Sequence, residues 1–116
     1  MKKILESIFL ALMCCGSPAM AADKVPADSA KLSQGKAVFD KWCVSCHGVG
    51  KRMPGTASLE AKYAGSIPAA LEQRKDMNPE FIRYFVRNGV LIMPSFRKTE
   101  VTDADLAALA AYLSPQ

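Results

Sequence analysis

Histidine is nearly missing from this chain, since His47 is the one histidine in 116 residues. That excludes any site needing two imidazoles from one copy, including an iron held by a histidine on each face. Cysteine is almost as scarce. Of four cysteines, Cys14 and Cys15 fall in an N-terminal segment with the marks of a leader, which leaves Cys43 and Cys46. No cysteine or histidine follows His47, so a structural zinc site lacks its second pair of ligands. A disulfide spanning two intervening residues closes too short a loop to stabilise much. A thioredoxin-like redox pair belongs in a βαβ unit, and no run of alternating strands is present. The formal net charge is a mild +4, and no basic stripe carries interleaved aromatics, so nothing points to nucleic acid. Long hydrophobic runs are also lacking. The stretch Ile8 to Cys15 is too short, and too closely followed by Gly16 and Pro18, to span a bilayer. No membrane anchor is expected.

The same N-terminal segment reads as a secretory signal peptide over residues 1–21. Met1-Lys2-Lys3 precedes the apolar run, and Ala19-Met20-Ala21 supplies an A-x-A cleavage site. A lipoprotein site wants a small residue before its cysteine, and Met13 and Cys14 are not small. The leader predicts export to an oxidising compartment, the periplasm. About 95 residues remain after cleavage, carrying a net charge of +3, since Lys2, Lys3 and Glu6 leave with the leader. That is one small domain whose core needs a staple, and its mild positive balance suits a partner with a locally acidic face.

What is present is Cys43-Val44-Ser45-Cys46-His47. A Cys-x-x-Cys-His run is the attachment sequence of c-type haem. Two thiols one helical turn apart can each bond a vinyl group on one porphyrin edge, and the adjacent imidazole then lies under the iron. Covalent haem attachment takes place on the exported side of a membrane, so leader and motif agree.

Residues 22–28 read as a loose, proline-bearing tail, followed by a single domain over 29–116. The first helix is predicted from Ser29 to about Cys43, with Leu32, Gly35, Val38 and Phe39 at three- and four-residue spacing. A second helix is predicted over Pro79 to Asn88, capped by Asn78 and ended by Gly89, with Phe81, Ile82, Phe85 and Val86 facing inward. The last helix starts after Thr102, with Asp105 in a capping-box position and Val101 and Leu106 as the staple. Its stripe is Leu106, Leu109, Ala110 and Leu113. Ser66-Ile67-Pro68 opens a further short helix through Leu71, and the rest is assigned to loop. The fold class is all-α.

Three methionines follow the leader. Met77 sits at a staple position where it packs on Ile82. Met53 follows His47 so closely that it reaches the other face of a porphyrin only when almost fully stretched. Met93 ends the run Val90-Leu91-Ile92, and Pro94 and Phe96 make a rigid, dry loop of its surroundings. It is the candidate sixth ligand. Methionine and histidine together fill both axial positions and raise the potential, which leaves one-electron transfer as the chemistry. A haem enzyme or gas sensor needs an open iron position, and no distal catalytic group is evident.

The order of parts resembles class I, mitochondrial-type cytochrome c over nearly the whole mature chain: helix, Cys-x-x-Cys-His, a Met-Pro loop and a final helix. The resemblance implies that Gly35 and Phe39 meet the Leu109 to Tyr112 region. It implies that the Pro54 carbonyl accepts a hydrogen bond from the second nitrogen of His47. It also implies an exposed haem edge with Lys51, Arg52, Arg97 and Lys98 as a positive rim. Arg74, Arg83, Arg87 and Arg97 are candidate partners of the haem propionates, against the plainer reading of solvated surface charges. More narrowly, Val86-Arg87-Asn88-Gly89 leading to Met93-Pro94-Ser95-Phe96 resembles the cytochrome subunits of p-cresol methylhydroxylase and eugenol hydroxylase. Pro54-Gly55-Thr56-Ala57 to Tyr63 and Phe96-Arg97-Lys98-Thr99-Glu100 add to that likeness. In that family the partner is a flavoprotein oxidising alkylphenols, and a downstream redox acceptor completes the chain. A free-standing shuttle for another periplasmic dehydrogenase or oxidase is the alternative.

Overall fold

The computed structural model describes residues 27–115, so the leader and the tail up to residue 26 lie outside the described residues. Five helices follow one another: α1 (Ala27–Trp42), α2 (Val44–His47), α3 (Pro54–Tyr63), α4 (Pro79–Asn88) and α5 (Asp103–Leu113), with a 3₁₀ turn at Leu71–Gln73. Among the described residues the one extended pairing is an isolated bridge between Val90 and Met93. The fold is all-α, as the periodicities require. No helix among these residues is long and apolar enough to cross a membrane.

The core forms where α1 and α4 pack on α5. Val38 and Phe39 from α1 meet Ile82 and Val86 from α4, and Leu106, Leu109, Ala110 and Leu113 from α5, with Val101 and Met77 closing the cluster. Capping sets the ends of two of these helices. The Asn78 side chain accepts from the Phe81 amide at 2.8 Å, with Pro79 in the first turn where no N–H is needed. Thr102 Oγ1 accepts from the Asp105 amide at 3.1 Å and donates to the Asp105 carboxylate at 2.9 Å. Val101 and Leu106, the staple pair, are both buried.

α1 crosses α5 at Gly35. A Cβ at this position would lie 2.2 Å from the Ala108 carbonyl oxygen and 2.6 Å from Tyr112 Cβ. One turn on, the Phe39 and Tyr112 rings lie 6.2 Å apart. The contact obliges a residue without a side chain, whatever glycine costs inside a helix. Gly35→Ala is expected to destabilise the haem-loaded protein by about 2 kcal/mol or more, because backbone must move on one side or the other. Its denaturation midpoint checks this, and an unchanged midpoint would mean that the crossing is looser than the distances state.

Four expectations are corrected. α3 occupies Pro54–Tyr63, a segment expected as loop. It buries Thr56 alone and has no apolar stripe, so periodicity could not reveal it. The short helix expected from Ser66 is not formed there; the one turn of 3₁₀ structure comes later, at Leu71–Gln73. Gly65 (φ 81°), the Ser66 hydroxyl donating back to the Tyr63 carbonyl at 2.7 Å, and the pre-proline position of Ile67 all oppose a helix start. On α4, Ile82 and Val86 are buried as expected, but Phe81 is 41 % exposed and Phe85 only half-buried. Those two rings pack on each other at 4.8 Å, since only the 82/86 stripe faces the core. α1 also begins at Ala27, two residues before Ser29.

Candidate functional site

The Cys-x-x-Cys-His run is itself helical. The His47 amide bonds the Cys43 carbonyl at 2.8 Å, and the Gly48 amide bonds the Val44 carbonyl at 2.9 Å. This single turn places both thiols and the imidazole on a short rigid unit that continues from α1. Cys43 and Cys46 are not joined by a disulfide. Cys43 packs against the core and its thiol is pushed up to about 11, first by burial and then by Cys46. Cys46 is exposed.

His47 is half-buried, and burial pulls its imidazole below the ordinary value, which favours the neutral form able to bind a metal. Its Nδ1 is buried without any hydrogen-bond partner among the described residues. A core histidine kept for packing would be satisfied; this one is positioned instead by a backbone. A Cβ on Gly55 would lie 2.7 Å from His47 Cε1 and 2.8 Å from Nδ1, so the glycine lets α3 approach the ring directly. Thr56, buried beside it, donates to the Gly48 carbonyl at 2.7 Å and ties α3 to the Cys-x-x-Cys-His turn. Neither residue carries a sequence signal beyond the family likeness.

The hydrogen bond expected between the Pro54 carbonyl and His47 is absent among the described residues. As the first residue of α3 its carbonyl lies along the helix and accepts from Ser58 Oγ at 2.8 Å, and His47 Nδ1 donates no bond to it. Proline at the start of a helix fixes that direction.

Met93 is half-buried and packs on the same core cluster as Cys43. The loop around it is rigid, but it is not dry. Val90 and Met93 exchange backbone hydrogen bonds at 3.1 and 2.9 Å across a two-residue turn, with Leu91 at φ 52°. The turn throws Leu91 and Ile92 outward, 99 % and 80 % exposed, so the apolar run supplies no wall for the sulfur. Gly89 (φ 69°) sits under the return strand, where a Cβ would lie 2.5 Å from the Met93 carbonyl oxygen. Beyond Pro94, the Phe96 ring meets Trp42 edge-on, centroids 5.9 Å apart. Trp42 immediately precedes Cys43, so this contact draws the methionine loop to the root of the Cys-x-x-Cys-His turn.

Met77 is buried in the core with Ile82, and Met53 stands at the N-cap position of α3, where its side chain makes no capping bond. Of the arginines, Arg74 is buried and bonded to Asp76 at 2.9 and 2.5 Å, with the Tyr63 ring 5.1 Å away. Arg83 pairs with Glu80, Arg97 with Glu100 and Arg87 with Asp103. Each therefore has a carboxylate partner, although Arg87 shares Asp103 with Lys98.

Two unbridged thiols, a metal-competent imidazole with no structural partner and a thioether on the same core make a donor set that suits one covalently held haem. The family model for cytochrome c oxidase, cbb3-type, subunit III matches residues 30–113. Cytochrome c6 of Picosynechococcus sp. (strain ATCC 27264 / PCC 7002 / PR-6) is 32% identical over the whole of this chain and 95% of its own. The cytochrome c subunit of 4-cresol dehydrogenase [hydroxylating] from Pseudomonas putida is 33% identical, covering 82% of this chain and 70% of its own. Cytochrome c-552 of Bradyrhizobium diazoefficiens is 28% identical over 93% and 91%. With fold, donor set and relatives in accord, the chain belongs to the cytochrome c family, and it is an electron-transfer protein with covalent haem c rather than an enzyme.

Proposed function

We propose that this protein is a periplasmic one-electron carrier in which Cys43 and Cys46 form the haem thioethers and His47 and Met93 are the axial ligands. The observation that carries the ligand assignment is the Trp42–Phe96 contact, which brings the Met93 loop beside the turn bearing His47. Met53 and Met77 have structural places instead, one at a helix cap and one in the core. Bound haem supplies a reversible Fe(III)/Fe(II) couple. The protein's part is to hold both ligands, keep the imidazole neutral and present a docking surface. Residues 1–21 are read as a cleaved leader, those from 22 up to the start of α1 at Ala27 as a tail and the rest as the domain.

The donor proposed is a periplasmic flavin dehydrogenase acting on alkylphenol-type substrates, with the electrons passed on to the respiratory chain. The relative named as a 4-cresol dehydrogenase subunit supports that donor. A freely diffusing shuttle is the second reading, favoured by the full-length likeness to cytochrome c6.

Charge separates the two. Of the four residues expected to form a positive rim, Arg97 is paired with Glu100 at 3.2 Å and Lys98 with Asp103 at 2.7 Å. The rim's net charge therefore rests mainly on Lys51 and Arg52, both exposed, with one further positive charge where Lys98 and Arg87 share Asp103. Exposed charges are screened over a Debye length of about 10 Å at 0.1 M salt. For a shuttle, stopped-flow reduction by the flavoprotein should slow as salt rises, and reversing Lys51 and Arg52 to Glu should slow it further and remove most of the salt dependence. A docked subunit would copurify with its flavoprotein and show rates nearly independent of salt. A rate that rises with salt in dilute mixtures would overturn steering by this pair.

A further inference from the structure

We infer that Arg87 is a positioning residue, whose guanidinium clamps the chain leaving Met93 and so sets how firmly the sulfur is held. The inference rests on Met93 being the axial ligand. Arg87 lies in the last turn of α4. Its Nη1 donates to the carbonyls of Phe96 at 3.0 Å and Val101 at 2.9 Å, and its Nη2 donates to Asp103 Oδ1 at 2.9 Å. One side chain thus joins α4 to the end of the Met93 loop, to the residue before the α5 cap and to the first residue of α5. Arg83 and Arg97, by contrast, reach an acid three residues away on the surface.

The clamp closes on a segment already held from its other sides. The Phe96 amide donates to the Val86 carbonyl at 2.8 Å, so both the N–H and the C=O of Phe96 are fixed by α4, while its ring rests on Trp42. Upstream, the Val90–Met93 bridge pins the near end. Pro94 and Ser95 alone separate Met93 from Phe96. For the sulfur to leave the iron, this short span has to swing, and it cannot swing far while Phe96 is gripped. The grip needs arginine. A planar guanidinium offers five N–H donors in a fixed fork, whereas an ammonium is a compact charge on a flexible stem that cannot reach two carbonyls and a carboxylate in this arrangement. Without the fork, the Phe96 and Val101 carbonyls lose a charged donor.

The test uses ferric, haem-loaded protein under native conditions. Imidazole is added, and displacement of the sulfur is followed by loss of the thioether-to-iron charge-transfer band, with the thermal midpoint recorded separately. Arg87→Lys is expected to speed displacement about tenfold, the size of effect that loss of a charge-assisted hydrogen bond allows. Arg87→Ala should speed it more, and Arg83→Ala should leave it unchanged. Arg87→Lys keeps the charge and the stem, so it remains informative if Arg87→Ala does not fold. A lowered midpoint with wild-type displacement rates in the Arg87 variants would overturn the clamp and leave a merely stabilising role. Met93→Ala separates the premise from the inference. If the band survives that change, the ligand assignment fails by itself. The clamp is then judged by hydrogen exchange at the Phe96 amide, which should quicken in Arg87→Lys but not in Arg83→Ala; equal exchange in both would sink it.

Discussion

Met93→Ala is expected to open the sixth position on the iron, lower the reduction potential by a few tenths of a volt and let carbon monoxide or cyanide bind readily. Axial ligands alone move haem potentials over roughly 0.8 V, and a thioether favours the reduced metal more than water or hydroxide does. The change should be large because no second donor stands ready. His47 is the one histidine, Met77 is locked in the core and Met53 lies at the start of α3, only six residues after His47. Leucine at either of those two positions should leave the iron spectrum as it was. Loss of the thioether-to-iron band in Met77→Leu, with the band kept in Met93→Ala, would show that the wrong methionine was chosen.

The parts of this site that were readable in the sequence are those whose chemistry is local. Cys43, Cys46 and His47 declare themselves by spacing, and Asn78, Pro79, Gly89 and Thr102 declare helix ends because capping depends on immediate neighbours. Gly35 is tied to α5 in the sequence by the family resemblance alone, and its distance to Ala108 supplies the physical reason for a glycine. What stayed hidden acts between segments. Gly55 matters because α3 comes up against the His47 ring, and α3 itself left no stripe to read, burying Thr56 alone. Arg87 was one of four arginines of equal standing. Its role comes from reaching residues 9, 14 and 16 positions away, a relation no local pattern encodes. The surroundings of Met93 are not legible either, because an apolar run does not by itself make a dry loop. A two-residue turn instead carries Leu91 and Ile92 out of the protein.

Removing both thioether bonds should undo more than electron transfer. The core of the polypeptide is one cluster at the crossing of α1, α4 and α5. The other half, built on α2, α3 and the 3₁₀ turn, has little to hold it: Thr56, Ala69, Ala70 and the ion-paired Arg74 are its buried side chains. Large apolar side chains meanwhile stand open to solvent, among them Val49 at 64 % and Tyr84 at 61 %. A domain of about 95 residues buries a modest share of its surface, and its net stability is a small difference between large terms. Anything bound only by the folded form adds to that difference directly, and a covalently held apolar plate does so without a dissociation step. Cys43→Ala with Cys46→Ala, prepared free of haem, is therefore expected to be largely unfolded or loosely helical. Residual helix should be confined to the segments of α1, α4 and α5, because their contacts need no porphyrin. Circular dichroism should show weak helix and a broad, non-cooperative melt. A sharp thermal transition near that of the haem-loaded protein would refute this, since the polypeptide core would then suffice alone.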